Sequence, residues 1–494
     1  MSLIKPSLDK DLEKLVHVEA ATQTISSQFV THSLALVFLG VSALFAGIYA
    51  GVASEQAVVI IAAVLGGYMA LNIGANDVDN NVGPAVGSRA LTMVGALVIA
   101  MIFESAGALI AGGDVVATIS KGIIDPSKVP DSGTFLLAML AALVSSALWV
   151  NLATYIGAPV STTHAVVGGV MGAGIAAVGF QLVNWVTMGA IAASWVISPL
   201  MGGVIAALFL AFVKVNLIYQ HDKITAARRW IPVLIAVMAG AFSCYLAIKG
   251  LKRVWRPEVS TVALIGMATF LATWLITHPL IRRQSEGMEN RNQSLRRLFH
   301  LPLICSAALL SFAHGANDVA NAIGPLAAIL HSAQYGSIAS KAAIPNWVML
   351  IGALGISLGL FLYGPKLVRM VGARITKMNP MRAYCVALSA AITVIMASWL
   401  GLPVSTTHVA VGAVFGVGFF REIYTKHSKR RRRMIARQGK INNLVERDIG
   451  PEEIRYRKLV RRTHFLTIIA AWVITVPATA VLAAGVFYGI ELLQ

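Results

Sequence analysis

The chain has 494 residues, of which 57% are hydrophobic and 13% are charged, and its mean hydropathy is +0.74. Soluble globular proteins have about 45–50% apolar and about 25% charged residues, so this composition excludes an ordinary water-soluble enzyme. It also excludes a disordered chain, which needs low hydrophobicity. The net charge is +18. Because the basic residues lie mostly between apolar runs, they indicate cytoplasmic loops of a membrane protein rather than nucleic-acid binding.

The apolar runs predict an all-α polytopic membrane protein with about 11 to 13 transmembrane segments. About 20 apolar residues are needed for one helical span, and long continuous runs are not the alternating segments of a β-barrel. The runs at 160–180 and 404–420 are short and Gly-rich, which predicts re-entrant or broken helices. The first 30 residues have mixed charge, which predicts no cleavable signal peptide. The runs lie at 33–53, 57–77, 92–112, 134–156, 160–180, 186–213, 231–250, 260–281, 302–330, 346–364, 383–401, 404–420 and 465–490.

Loop charges predict the orientation in the cell membrane. The segment 421–464 has 15 basic and 5 acidic residues, and 282–297 and 366–382 are also strongly basic, so we expect all three in the cytoplasm. The acidic segment 113–133 would then lie outside. The segment 249–258 disagrees, because it is basic and would also lie outside. For 421–464 we expect a solvated loop near anionic lipid.

Two motifs occur twice, in the same order. Gly-Ala-Asn-Asp-Val-Asp-Asn at 74–80 recurs as Gly-Ala-Asn-Asp-Val-Ala-Asn at 315–321, and each is followed by a Gly-Pro pair. Gly-Ala-Pro-Val-Ser-Thr-Thr-His at 157–164 recurs with one change at 401–408. An odd number of crossings between the copies predicts inverted repeats, with the site near mid-membrane where they meet. We predict an extension with an extra span (1–56), a first repeat (57–213), connecting helices (214–301) and a second repeat (302–494) containing the basic insertion.

The first motif predicts a cation site. A carboxylate inside a bilayer is costly and is functional by default, and Asp77 and Asp318 have no lysine or arginine within a few positions. Carboxylate and amide oxygens are the hard ligands that Na⁺ needs, although a proton would fit the same carboxylates. We expect helix breaks at Gly83-Pro84 and Gly324-Pro325 to expose carbonyls as well. The predicted metal ligands are Asn76, Asp77, Asn317 and Asp318, and the nearby amides Asn80 and Asn321 supply further oxygens.

The second motif predicts an anion site. Pro159 and Pro403 suggest helix starts, where free N–H groups and the helix dipole attract an anion. Serine and threonine cap such amides and add hydroxyl donors. The alternative is that each hydroxyl bonds back to its own helix, but two copies of one Pro-Val-Ser-Thr-Thr-His string favour function. The predicted anion-binding residues are Ser161, Thr162, Thr163, Ser405, Thr406 and Thr407.

Four other ionisable residues have open roles. His164 and His408 follow the hydroxyls and either brace the loop, respond to protonation or bind directly. His314 stands beside the second copy of the first motif as a hydrogen-bond partner or a ligand. Glu104 lies in an apolar run without a counterpart in the other half, which suggests either a salt bridge or a role with the coupling ion.

The paired Gly-Ala-Asn-Asp-Val-x-Asn and Pro-Val-Ser-Thr-Thr-His strings resemble the signatures of the inorganic phosphate transporter (PiT) family. The resemblance extends from about residue 57 to the C-terminus. It implies a cation-coupled phosphate symporter in which a transport part moves against a scaffold. It also implies that Asn80 and Asn321 help to frame the phosphate. The chain departs from the pattern in its N-terminal extension, its basic insertion, and Asp79 where the second copy has Ala320.

We therefore expect uptake of inorganic phosphate by alternating access, coupled to Na⁺ rather than H⁺, with no cofactor beyond the coupling ion. The expected partners are phosphate, the coupling ion, the lipid bilayer and a second copy in a homodimer, and not nucleic acid. The alternatives are a permease for sulfate or another oxyanion, and an anion channel. A channel would need rings of like residues. A membrane enzyme is disfavoured because no acid is spaced to orient a histidine base.

Overall fold

The computed structural model shows a helical membrane protein. Within the residues that it describes, the only β-pairing is one isolated bridge, Ile124 to Val183. The basic insertion lies almost wholly outside the described residues, as do Pro159 and most of the outer segment 249–258. The described residues are 6–51, 55–125, 128–156, 160–250, 257–335, 344–372, 378–427 and 462–493.

Fifteen helices occupy these ranges. Most carry apolar residues on all sides, as expected where one side faces lipid and the other faces neighbouring helices. The helices are α1 Pro6–Tyr49, α2 Gln56–Gly87, α3 Met93–Ala111, α4 Gly113–Lys121, α5 Ser132–Ile156, α6 Thr162–Val178, α7 Trp185–Val213, α8 Lys223–Lys249, α9 Val259–Gln284, α10 Asn292–Leu298, α11 His300–Tyr335, α12 Asn346–Gly372, α13 Pro380–Trp399, α14 Thr406–His427 and α15 Arg462–Glu491.

Eleven helical segments in the described part of the chain are long and apolar enough to cross a membrane. This confirms the predicted range, including the extra span near the N-terminus, Gln28–Tyr49. As predicted, α6 is short, with 17 residues. Large apolar side chains are widely exposed, for example Leu264 and Leu275 on α9, as lipid contact requires.

The two helix pairs α5–α6 and α13–α14 form hairpins whose tips carry the second motif. We call them the first and second hairpin. α6 packs against α5 and α15, and α14 packs against α13 and α7. In the described residues, the chain before each hairpin's second helix ends in a serine cap, Ser161 before α6 and Ser405 before α14. The helices begin two or three residues later than predicted, because Pro403 lies in the extended tip and not in the first turn.

The predicted helix breaks at Gly83-Pro84 and Gly324-Pro325 are wrong. α2 continues through Pro84 and α11 continues through Pro325. Proline still has no N–H, so the carbonyls of Asn80 and Asn321, four residues earlier, lose the usual intrahelical donor. Burial of most residues around the prolines keeps these helices continuous, where an isolated helix would tend to end or kink. The freed carbonyls that we predicted are therefore present without an unwound segment.

The duplication is visible in two equivalent helix crossings. α2 crosses α12 so closely that a side chain at Gly74 would collide with the carbonyl of Ile356. α11 crosses α3 in the same way, where a side chain at Gly315 would collide with Glu104. The next residues, Ser105 and Ser357, meet each other with their hydroxyl oxygens 2.6 Å apart. The two halves therefore use the same crossing, while their opposite orientation in the membrane stays a prediction.

An ion pair ties the additional helix α8 to this framework. Lys249 at the end of α8 pairs with Asp114 in the first turn of α4 and donates to the carbonyl of Trp399. One turn along α4, the Thr118 hydroxyl donates to the carbonyl of Gly401, 2.7 Å away. These contacts therefore hold the second hairpin near its tip. They lie on the side of the protein that we predict to be extracellular.

Candidate functional site

The first motif places Asp77 in the interior, where threonines of both hairpins reach it. The Asp77 carboxylate is 1% exposed. Its Oδ2 accepts from the Thr162 hydroxyl at 3.2 Å, and its Oδ1 accepts from the Thr407 hydroxyl at 2.9 Å. One carboxylate therefore joins the two halves of the protein, as the predicted repeat interface requires.

The second copy of the first motif places Asp318 in the corresponding position on α11. Its Oδ2 accepts from the Thr406 hydroxyl at 3.1 Å. Among the described residues, its Oδ1 has no hydrogen-bond partner, and neither has Oδ1 of Asn321, one turn later. These two buried oxygens lack donors and lie three residues apart on one helix face. They are therefore available as ligands for a cation.

The asparagines at the ends of the motifs cross between the halves. Asn80 on α2 donates to the hydroxyl of Thr407, 2.8 Å away, and Asn321 on α11 donates to that of Thr163, 3.1 Å away. The Thr163 hydroxyl in turn donates to the carbonyl of Val404 in the second hairpin. The predicted anion-binding threonines and asparagines therefore lie together.

The two serines of the predicted anion site serve as helix caps. The Ser161 hydroxyl accepts from the N–H of His164 at 3.1 Å, and Ser405 accepts from the N–H of His408 at 3.3 Å. Each satisfies one of the free amides at its helix start, as predicted. The hydroxyl of a capping serine still has its own proton, which can be donated to an anion.

The asparagines that precede the carboxylates contact the hairpin backbones. Asn317 donates to the carbonyl of Leu402 at 3.2 Å and accepts from the N–H of Val404 at 3.2 Å. Asn76 donates to the carbonyl of Val160 at 3.3 Å. Their prediction as metal ligands stays a prediction, but both amides are engaged with the tips.

A buried histidine connects the two carboxylates. Nε2 of His314 lies 3.1 Å from Oδ2 of Asp318 and 3.8 Å from Oδ2 of Asp77, while Nδ1 lies 3.2 Å from Oε1 of Glu104. Asn81 donates to the same Glu104 oxygen at 2.6 Å. In the described part of the chain, Asp77, His314 and Asp318 each place one ligand atom within 4.8 Å of the others. No lysine or arginine there pairs with either carboxylate.

The other two histidines meet behind the threonines. The rings of His164 and His408 pack edge to face with centroids 4.5 Å apart, and His164 also packs on Trp195 at 3.8 Å. The Trp195 indole donates to the carbonyl of Pro403. Of the roles left open, the geometry favours bracing of the hairpins.

Comparison with known proteins decides the family. A family model described as "Phosphate transporter family" matches residues 73–483. The chain belongs to this phosphate transporter family. It is therefore a multi-pass membrane transporter rather than an enzyme, as the resemblance implied.

Relatives of the phosphate transporter family match nearly the whole chain. Two of them carry the name "putative phosphate permease". The one from Helicobacter pylori strain J99 is 43% identical and covers 98% of this chain and 99% of its own length. The one from Pyrococcus furiosus is 34% identical and covers 88% of this chain and 97% of its own length. A solved structure, named "The sodium-dependent phosphate transporter", is 36% identical, with a TM-score of 0.77 over 89% of this chain and all of its own.

Sequence reasoning found most of this centre and missed one part. All twelve predicted site residues of this phosphate transporter family member lie at or beside the hairpin tips and the two carboxylates. The contact of His314 with Glu104 and Asn81 was missed, because none of these three residues has a polar counterpart in the other half. The helix crossing places Ile73 at the position equivalent to His314 and Ile356 at the position equivalent to Glu104. The lack of a counterpart was a signal for Glu104, but it does not specify which residue Glu104 contacts.

Proposed function

We propose that this protein takes up inorganic phosphate together with Na⁺ by alternating access. One observation carries the proposal: threonine donors from the two hairpin tips converge on two buried carboxylates. The hydroxyls and the helix starts provide donors for a phosphate, and the carboxylates provide acceptors for cations. Because no lysine or arginine pairs with the carboxylates in the described residues, the anion is not held by a fixed positive charge and can be released.

The contacts also supply a physical reason for coupled binding. A threonine hydroxyl has one proton to donate, and those of Thr162, Thr406 and Thr407 are now directed at carboxylates. A cation that binds the carboxylates takes over the oxygen lone pairs which these protons occupy. The hydroxyls can then turn and donate to phosphate. Cation binding thus prepares the anion site, and the two charges largely cancel before the carrier rearranges.

Two observations support Na⁺ as the coupling ion. Oδ1 of Asp318 and of Asn321 are buried acceptors that lack donors in the described residues. A carboxylate oxygen and an amide oxygen are hard ligands for a metal ion, and a proton shared between them is the alternative that an imposed pH gradient tests. The name of the solved relative gives sodium dependence for that protein.

The test is uptake of radiolabelled phosphate into proteoliposomes, with an imposed Na⁺ gradient, a separate imposed pH gradient, and sulfate as a competitor. We expect accumulation driven by Na⁺ that sulfate does not suppress. Accumulation driven only by pH would replace Na⁺ by H⁺. Sulfate uptake without phosphate uptake would overturn the substrate, and equilibration without accumulation would indicate a channel.

Removing either carboxylate's charge tests the ion site. Asp77→Asn and Asp318→Asn should each abolish Na⁺-driven accumulation, because an amide is a much weaker cation ligand than a carboxylate. Asp131→Asn is the matched control, since Asp131 is exposed and bonds only its own helix start through Thr134. Wild-type accumulation in either of the first two variants, at equal expression, would refute the role of that carboxylate.

A further inference from the structure

The asparagine that precedes each carboxylate makes hydrogen bonds to the bend of a neighbouring hairpin. Asn317 is 1% exposed, and its amide group is fully used: the NH₂ donates to Ser398 Oγ at 3.0 Å and to the carbonyl of Leu402, while the oxygen accepts from the N–H of Val404. These partners lie at the end of α13 and within the bend that leads to α14. The side chain therefore closes the bend in the way that a pair of backbone hydrogen bonds closes a turn.

A related contact exists in the other half, between the equivalent residues but with donor and acceptor exchanged. Asn76 donates to the carbonyl of Val160, and its oxygen lies 3.4 Å from the hydroxyl of Thr154. Thr154 and Ser398 are separated by the same number of residues as the two hairpin motifs. A hydroxyl on the incoming helix and an asparagine on the crossing helix thus recur as a pair. A packing contact would not need to preserve both polar groups.

We propose that Asn317, and Asn76 as its counterpart, are positioning residues that attach the hairpin tips to the helices carrying the carboxylates. The attachment couples the two motifs, because Val404 stands two residues before Thr406 and Asn317 stands next to Asp318. A tip cannot shift without breaking these bonds, so the threonines are held at donating distance from the carboxylates. This differs from the ion-ligand role that the sequence suggested.

The inference rests on the proposed function only for its transport consequences. Hydrogen–deuterium exchange of the purified protein in buffer without Na⁺ and phosphate tests the attachment itself. In Asn317→Ala, amides in the peptide that covers 398–409 should exchange about tenfold faster than in wild type, because the Val404 N–H loses its acceptor. Asn72→Ala is the matched control: it removes a buried amide that bonds Tyr68 on its own helix and Asn151 on α5, neither of which lies in this tip.

Unchanged exchange in Asn317→Ala would overturn the proposal, whatever the transported ion proves to be. Should that variant fail to fold, Ser398→Ala is the second test. It removes a partner of Asn317 that an ion-ligand role does not involve, and it should also accelerate exchange at the tip. Normal tip exchange in Ser398→Ala would then overturn the proposal.

Transport kinetics separate the two roles. Asn317→Asp keeps an acceptor for Val404 and would be a stronger cation ligand, but it cannot donate to Leu402 or Ser398. A positioning role predicts a KM for phosphate raised about tenfold in both Asn317→Asp and Asn317→Ala. It also predicts that the half-saturating Na⁺ concentration changes less than twofold at saturating phosphate. Rescue by aspartate, or a large rise in the Na⁺ requirement of the alanine variant alone, would assign Asn317 to the ion.

Discussion

Each threonine hydroxyl that bonds a carboxylate at the centre has one proton, which it can donate either to that carboxylate or to a phosphate. Thr407 shows this best, because its hydroxyl donates to Asp77 at 2.9 Å and accepts from Asn80 at 2.8 Å. Without a bound ion, the hydroxyl proton is held by the carboxylate. The hydroxyl group itself, rather than the size of the side chain, therefore determines whether phosphate finds a donor.

Thr407→Val should lower kcat/KM for phosphate about 10- to 100-fold, since a hydrogen bond to a charged partner contributes about 1.5–3 kcal/mol. Thr407→Ser should retain uptake. The matched control is Thr393→Val, which removes a buried hydroxyl that bonds its own helix at Ser389. Radiolabelled uptake measures all three, and a Thr407→Val protein as active as the Thr393→Val protein would contradict the role.

Glu104 is the residue whose loss should affect folding most at the centre. Replacing it with isoleucine, the residue at the equivalent position of the other half, leaves His314 and Asn81 without this partner in the interior. Removing one partner of a buried hydrogen bond leaves the other unsatisfied, which costs about 1–3 kcal/mol. We expect Glu104→Ile to unfold at a clearly lower temperature than Glu104→Gln, which keeps the shape and one acceptor. Equal thermal unfolding curves for the purified variants would show that the pair does not stabilise the fold.

The residues of the centre were predictable because they occur twice. Duplicated Asp, Asn, Ser and Thr in apolar surroundings cannot be explained by packing alone, so their proximity followed from the repeat. Glu104 and His314 occur once and lie in different helices, and their contact depends on the close crossing of α3 and α11. A sequence does not specify such a crossing, because it depends on which glycines face each other.

At the scale of elements, the short helix α6 was predicted, whereas the helix breaks predicted at Gly83-Pro84 and Gly324-Pro325 are wrong. A proline inside an isolated helix costs about 3 kcal/mol and usually kinks or ends it. α11 passes through Pro325 because most of its residues are buried, and packing on all sides outweighs the local preference. Only the position of the hairpin bends, which lie in Gly-x-Pro segments, could be read from local signals.

The start of α8 offers a test of an element outside the membrane-spanning segments. Asp222 accepts from the N–H groups of Ile224 and Thr225 and from the Thr225 hydroxyl. The hydroxyl bond, followed by the backbone bonds, lowers the pKa of Asp222 below its ordinary value of 3.8. The stabilisation is therefore present above that pH and is lost as the pH falls through the lowered value.

Asp222→Ala should destabilise the protein by about 1 kcal/mol at pH 7, the usual contribution of an N-cap. The difference from wild type should shrink as the pH falls below 3.8. Asp222→Asn keeps a cap without a titrating group and serves as the control, with no pH-dependent difference of this origin. Thermal unfolding at several pH values measures the effect, and an alanine variant as stable as wild type at pH 7 would contradict it.

At the scale of the whole molecule, the loop charges fit the predicted orientation except in one loop. The structure explains part of that exception. Lys249 belongs to the basic segment 249–258 that we expect outside. Its ammonium group is paired with Asp114, and its side chain is only 11% exposed. A paired lysine does not act as a free loop charge, so this residue counts little in the balance of charges across the membrane.

Cysteine labelling tests the orientation. In a variant with Cys244, Cys305 and Cys385 replaced by serine, Lys128→Cys should react with a membrane-impermeant maleimide in intact cells. Glu289→Cys should react only after permeabilisation. Both positions are well exposed, at 50% and 70% of the side chain, so a difference reports sidedness rather than burial. The reverse pattern would invert the proposed topology.

The polar contact of His314 with Glu104 in one half, and isoleucines in the other, has an energetic consequence. In a carrier built from two identical inverted halves, the inward-open and outward-open forms are mirror arrangements of the same contacts and have equal free energy. A polar contact present on one side only removes that equality. On the proposed alternating-access mechanism, we therefore expect the empty carrier to have a preferred resting side, and the population of the other side to fall about tenfold for each 1.4 kcal/mol of difference.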